Sequence, residues 1–173
     1  LKLLNESIKR QNEIMKYCIL SNLVFTSLIQ KDIKSGFDYL NRIDKQFTDD
    51  LDLRMYKCLL YYFGHEYTKS KECIASFFRD VKDSKYHKSF IRALKYMIDN
   101  KPMKAIDNFE ICYQIALKNG QYDRAIFVLK QLNELYLDHG LQNKLKKVKE
   151  LQENFYKMSY ANQIIEDIGL KLN

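Results

Sequence analysis

The chain has 173 residues, a formal net charge of +7, five Gly, one Pro and no Trp. The length suffices for one domain with a continuous core. So few helix breakers beside abundant Leu, Ile, Lys and Glu favour helix nearly everywhere. The lysines are scattered rather than gathered in one block, which argues against a nucleic-acid or membrane-surface footprint. No apolar run approaches the roughly 18 residues of a membrane span. The most apolar segment, YCILSNLVFTSLI at 17–29, is interrupted by polar residues and lacks a small-residue cleavage pattern, so it is not read as a signal peptide. A start at Leu1 rather than Met leads to the expectation of an excised part of a longer protein.

In chain order, residues 1–12 carry Leu1, Leu4 and Ile8 on one stripe and read as a connecting helix or the second helix of a preceding hairpin. An apolar helix is expected from Glu13 to Lys31. Asp32 and Ile33 open a second helix reaching to about Phe47. Thr48 or Asp49 is the expected cap of the next helix, with Asp50 and Asp52 in its positive first turn, and that helix runs to Gly64. Its partner begins near Glu66 and carries Ser70, Ile74, Phe77 and Phe78. Asp83-Ser84 is another cap signal, and the helix it opens ends near Asn100.

The best-punctuated segment is Lys101–Gly120. Pro102 suits a first helical turn, Ala105, Phe109, Cys112 and Ala116 form one stripe, and Gly120 suits a left-handed stop. A helix over 121–139 closed by Gly140 follows. The helix over 141–158 places Leu145, Val148, Leu151 and Phe155 on one face. Residues 159–173, with Ile164, Ile165 and Ile168, are expected to cap the last hairpin. No strand pattern and no Gly-, Pro- or Ser-rich linker interrupts the series, so the expectation is one all-α domain.

A pattern recurs through these helices. Gly36, Leu40 and Ile43 are followed by Ser70, Ile74 and Phe77, then by Ala105, Phe109 and Cys112, at shifts of 34 and 35 residues. A fixed period of this length marks stacked helix hairpins. The pattern resembles tetratricopeptide repeats. Ala93 and Tyr96 match the small and Tyr positions of a first helix, as do Cys58 and Tyr61 one repeat earlier. Leu20, Leu23 and Val24 take those places further upstream, and Leu129, Leu132, Tyr136 and Gly140 do so downstream. Lys57 and Arg92 depart from the pattern by standing where a large apolar residue is usual, and the prolines that usually end repeats are missing.

The resemblance implies about four degenerate repeats over 13–158 and a right-handed superhelix of stacked antiparallel hairpins, with first helices lining its concave side. The residues expected on that wall are unusually apolar: Phe25, Leu59, Tyr62, Phe63, Phe90, Leu94 and Met97, with Ser21, Asn22, Lys130, Asn133 and Glu134 among them. Such a wall is either a ligand groove or is filled by the protein itself.

Catalytic constellations are scarce. His65, His87 and His139 stand alone in sequence, and His65-Glu66 does not continue as a zinc-binding HExxH. Asp49, Asp50 and Asp52 read as a cap and dipole partners rather than an acid–base pair. No Gly-rich phosphate loop is present, and Lys144, Lys146, Lys147 and Lys149 read as the solvated face of a helix. Cys18, Cys58, Cys73 and Cys112 have no metal-ligand spacing. Each is expected on a separate hairpin, and three as small buried residues, without disulfide or metal, in a reducing compartment.

The expected function is therefore a binding module, not an enzyme, without metal or cofactor. The chain resembles the C-terminal repeat domain of the cytoplasmic peptide-pheromone receptors of Gram-positive bacteria, the Rgg, PlcR and Rap type. That resemblance implies the sensor part of a peptide-responsive transcriptional regulator; the alternative is a protein–protein interaction scaffold. Expected partners are a short peptide or protein segment and, for the chain itself, a second copy in a homodimer, with no direct nucleic-acid or membrane contact. Phe25, Tyr62, Phe63 and Met97 are expected to give a peptide apolar contact, and Lys130 to meet a carboxylate. Asn22 and Asn133 are expected to hold its backbone, because an amide offers a donor and an acceptor together.

Overall fold

A computed structural model of the chain describes residues 2–47, 49–81, 84–151 and 153, with the side chains of 2–6 and 8 outside the description. Every regular element among the described residues is helical. The order is α1 (Lys2–Gln30), α2 (Ile33–Asn41), a 3-10 turn (Lys45–Phe47), α3 (Leu51–Phe63), α4 (Tyr67–Asp80), α5 (Lys85–Ile98), α6 (Pro102–Lys118) and α7 (Tyr122–Asp138). A further helical stretch covers 142–151. Among the described residues, no helix is long and apolar enough to cross a membrane. The expected positions of Phe155, Ile164, Ile165 and Ile168 lie outside the described residues.

The helix starts follow the cap signals. Asp32 accepts from the backbone N–H of Ser35 at 3.1 Å, and Ser84 caps α5. The cap of α3 is Asp50 rather than Thr48 or Asp49. Its carboxylate accepts from the N–H groups of Asp52 and Leu53 at 2.9 and 3.1 Å, and Asp52 remains in the first turn. A carboxylate can serve two of the orphan donors at once, which favours the aspartate nearest the helix. Two boundaries also differ from expectation. α1 runs unbroken across residues 12 and 13. α2 stops at Asn41, and Ile43 leaves the helix with its side chain buried, so the chain reaches Phe47 through a 3-10 turn.

Five of the described helices, α1, α3, α5, α6 and α7, end with one geometry, whereas α2 ends in a right-handed cap at Arg42 and α4 in an extended one at Val81. Lys31, His65 and Asn100 have φ of 57°, 59° and 52°, and Gly120 and Gly140 have 66° and 65°. At each, the next residue's N–H reaches back to a carbonyl of the preceding helix. The pairs are Asp32 to Ser27 and Glu66 to Tyr61 at 2.9 Å, and Lys101 to Tyr96 at 2.8 Å. Gln121 to Ala116 and Leu141 to Tyr136 are both 2.9 Å. This double-bonded left-handed stop satisfies carbonyls that would otherwise be orphaned. Gly64, expected as a stop, has φ of −79° and is a right-handed cap one residue before the left-handed His65.

The chain packs as two compact units, Leu1–Lys101 and Pro102–Asn173. In the first, α1 with α2 and α3 with α4 form hairpins, and α5 packs on α3 and α4. Its core holds Val24, Leu28, Leu59, Leu60, Ile74, Phe77, Phe90, Ile91 and Leu94. Gly36 is buried so closely against α3 that an added Cβ would lie 2.5 Å from Leu60 Cδ2. Ser70, fully buried, donates its hydroxyl to the Cys58 carbonyl at 3.0 Å.

In the second unit, α6 pairs with α7 around Ala105, Ile106, Phe109, Cys112, Ala116, Ala125, Val128 and Leu129, with Leu145 and Val148 added from 142–151. Tyr136 Oη and Lys144 Nζ both donate to Glu110 Oε1, at 2.6 and 2.7 Å. Burial works to raise the Glu110 pKa, but the two donors outweigh it and hold the carboxyl below its usual value.

Ala105 is completely buried. Ala105→Phe should overpack its site and cost about 1–3 kcal/mol, read as a lowered denaturant midpoint. The depressed Glu110 carboxyl should contribute stability that is present above the unfolded-state pKa and lost as pH falls through the lower folded-state value. Comparing acid unfolding of the chain with Glu110→Gln should show this: the variant loses less stability over that window, and equal acid sensitivity would refute the contribution.

Candidate functional site

The residues expected to bind a peptide fall into two groups. In the first unit, Phe25 is half-buried and packs on Tyr56 with ring centroids 5.6 Å apart. Tyr62 and Phe63 end α3, half-buried, with centroids 5.5 Å apart; Tyr62 also meets Tyr67 at 5.8 Å. The Lys31 ammonium sits 5.7 Å from the Phe63 ring centre. Tyr67 is in turn bonded through its hydroxyl to His65 Nδ1 at 3.0 Å. Tyr62, Phe63, His65 and Tyr67 thus gather at the α3–α4 turn, while Phe25 lies apart against Tyr56. Asn22 is exposed on α1, and Met97 is half-buried on α5.

Leu59, Phe90 and Leu94, expected on the same wall, are 1%, 0% and 0% exposed. They belong to the core, so the wall is narrower than the sequence suggests. One helical position turns a side chain by about 100°, enough to exchange wall for core. Lys57 and Arg92, which stand at positions usually apolar, are exposed.

In the second unit, Lys130 and Asn133 are three residues apart on α7 and share a face, both half-buried. The Asn133 Oδ1 is shielded from solvent and accepts no hydrogen bond among the described residues. A buried acceptor without a donor costs about 1–3 kcal/mol.

Two arrangements escaped sequence reasoning. His87, alone in sequence and 8% exposed, is bonded through Nε2 to Asp52 Oδ1 at 2.9 Å and through Nδ1 to the Ser84 hydroxyl. A neutral ring with its proton on Nε2 satisfies the series, donating to Asp52 and accepting from Ser84. The Ser84 oxygen also accepts from the His87 N–H as the cap of α5. The trio ties the N-terminus of α5 to that of α3. Asp52 lies 35 residues from His87, so no local motif could reveal the pairing.

The second arrangement is a cavity of about 430 Å3 between α2, the 3-10 turn, α3 and α4. Leu40, Ile43, Arg54, Lys57, Tyr61 and Cys73 are among its lining, and none of the expected peptide-binding residues is. Arg54 is held there by Asp80 at 2.6 Å and the Ser76 carbonyl at 3.3 Å. The cysteines also differ from expectation. Cys58 and Cys73 share the α3–α4 hairpin. Cys58 and Cys112 are buried, Cys73 is half-buried and Cys18 is exposed. Among the described residues, no cluster of three or more His, Cys, Asp or Glu could hold a metal ion.

No protein-family model matches the chain, and neither a curated protein nor a solved structure matches it.

Ser84→Ala should remove a helix cap and cost roughly 1 kcal/mol. Asp52→Ala should cost more, about 1–3 kcal/mol, because it leaves the buried His87 Nε2 without its acceptor. Chemical denaturation of the two variants checks the order, and an Asp52→Ala chain as stable as the unsubstituted one would show that the Asp52 bond adds nothing.

Proposed function

We propose that the chain is a peptide- or protein-binding repeat domain, the sensor part of a cytoplasmic, peptide-responsive bacterial transcriptional regulator. The observation that carries this reading is the Asn133 Oδ1, buried and without a donor among the described residues. Opening of the surface around Asn133 would let a peptide N–H supply the missing donor, and the amide N–H2 of the same side chain return a bond to a peptide carbonyl. Lys130, on the same face of α7, suits a carboxylate. Within the first unit, Phe25, Tyr62, Phe63 and Met97 offer apolar area of their own; they are half-buried rather than sealed in the core, and rings offer such area at low entropic cost.

Supporting the stacked-hairpin, right-handed superhelical form of the reading is the recurrence of one left-handed turn at Lys31, His65 and Asn100. These residues stand at the same 34- and 35-residue shifts as Gly36, Ser70 and Ala105. A peptide that fits one curvature of such an array better than another would bias an attached effector domain by that difference in affinity.

A second reading, a scaffold that holds a partner's helix or a second copy of the chain, is favoured by α1. Met15, Ile19 and Leu23 are 56%, 54% and 36% exposed at four-residue spacing, beside Ile14 at 45%. An apolar stripe of this kind is a helix-pairing surface.

Selection from a library of short linear peptides, followed by fluorescence-polarisation titration, separates the readings. A selected peptide should lose about tenfold or more in affinity on Asn133→Ala, the equivalent of one buried hydrogen bond, and a smaller factor on Asn22→Ala. Failure of any short peptide to bind, with capture of a folded helical partner instead, would favour the scaffold.

A further inference from the structure

The cavity of about 430 Å3 lies within the first unit, and its wall is divided. Phe37 and Leu40, one turn apart on α2, share one part with Ile43 and Leu53, which are buried and form the floor. The Phe37 ring packs on Tyr61 with centroids 4.9 Å apart, which extends the apolar surface to α3. The other part of the wall carries Lys45, Arg54 and Lys57. Arg54, Lys57 and Tyr61 follow one another on α3 at spacings of three and four, so they share one face of that helix. Among the described residues, no Asp or Glu is in the lining.

We propose that this cavity binds a small organic carboxylate with a hydrocarbon body, its head group at Lys57 and its chain over Leu40, Ile43 and Leu53. Charge balance places the head group. Asp80, outside the lining, holds Arg54 at 2.6 Å, and the Ser76 carbonyl accepts from the same guanidinium at 3.3 Å. Arg54 is therefore fixed and largely neutralised. Lys57 makes no ion pair among the described residues and is exposed at the rim of the cavity. Lys45, also exposed, adds positive charge from the 3-10 turn. A carboxylate at Lys57 meets net positive charge and displaces no existing partner. Its head stays beside water, which spares most of the desolvation cost of a buried ion pair.

The rest of the wall selects the body. A peptide would bring several main-chain N–H and C=O groups into this space, and leaving them unpaired against Leu40, Ile43 and Leu53 is costly. Asn41, Ser76 and Tyr61 are too few to satisfy them, and the Ser76 carbonyl is already bonded to Arg54. A hydrocarbon chain makes no such demand. A phosphate head would be favoured by free backbone N–H groups at a helix start. At the start of α3 the N–H groups of Asp52 and Leu53 are engaged by the Asp50 carboxylate. The volume falls within the roughly 300–1,000 Å3 of small-molecule sites. None of the residues expected to bind a peptide lines this cavity, so the site stands apart from that reading.

Isothermal titration of the full chain with sodium octanoate is the test. Saturable one-to-one binding is expected, with a Kd of roughly 0.1–1 mM for a ligand of this size. Octanol, which keeps the chain and lacks the charge, should bind about tenfold more weakly or worse. Acetate, a head group without a body, should give no binding at the same concentrations. Lys57→Glu, a change at an exposed position that circular dichroism can show to be folded, should weaken octanoate by about tenfold or more. Lys118→Glu, the same charge change in the second unit, should leave the affinity unaltered, and so should Lys130→Ala and Asn133→Ala. Equal affinity for octanoate and octanol, undiminished binding to Lys57→Glu, or an absence of saturation overturns the proposal. Tighter binding of an acetylated tripeptide ending in Leu, lost in Lys57→Glu, would give the cavity to a peptide C-terminus and also overturn it.

Discussion

Close approach of helices at a small buried residue, set five positions after a left-handed turn, is the constraint on which this structure depends. Lys31, His65 and Asn100 adopt positive φ, and Gly36, Ser70 and Ala105 follow each by five residues. The turn reverses the chain within a few residues, and a small side chain at the first turn of the following helix then admits a neighbour. Gly36 admits the Leu60 methyl group at a distance where no Cβ fits. Ser70 goes further: it is small enough to be buried and polar enough to bond a carbonyl of the helix it faces. Larger residues at these points would separate the helices and open voids along their length, because cores close only when shapes interlock.

That approach has consequences for chemistry. It puts Cys58 and Cys73 on the two helices of one hairpin, and it leaves a cavity where the short α2 ends and the chain turns away through the 3-10 segment. A longer α2 would carry Ile43 onward as a helical residue; instead Ile43 is buried off the helix and lines that cavity. The polar ties are few and specific. Asp52, His87 and Ser84 join two helix starts, and Glu110 gathers Tyr136 and Lys144. Each satisfies groups that would otherwise be costly to bury.

Much of this was legible from residue patterns. Pro102, Gly120 and the stripe Ala105, Phe109, Cys112 and Ala116 describe α6 as found, because propensity, period and punctuation agree there. The candidate site was less legible. Asn133 was marked by its type and position, but only burial distinguishes its oxygen from that of any surface amide. Phe25, Tyr62 and Met97 share the apolar character of Leu59, Phe90 and Leu94, yet the first three are half-buried and the last three sealed. Hydrophobicity says that a side chain leaves water, not which neighbour covers it.

The sequence by itself determined the all-helical class, the 34- and 35-residue spacing of small residues, and most helix starts, because these depend on interactions within a few residues of one another. The left-handed stops at Lys31 and His65 were not visible, since only glycine announces that conformation and these residues adopt it at a cost of roughly 1–2 kcal/mol. Only the tertiary structure decided that His87 meets Asp52 across 35 residues, and that a cavity forms with Cys73 in its lining. Those outcomes depend on the angle and depth at which one helix settles on another. That geometry is set by many side chains packing at once, and no local spacing encodes it.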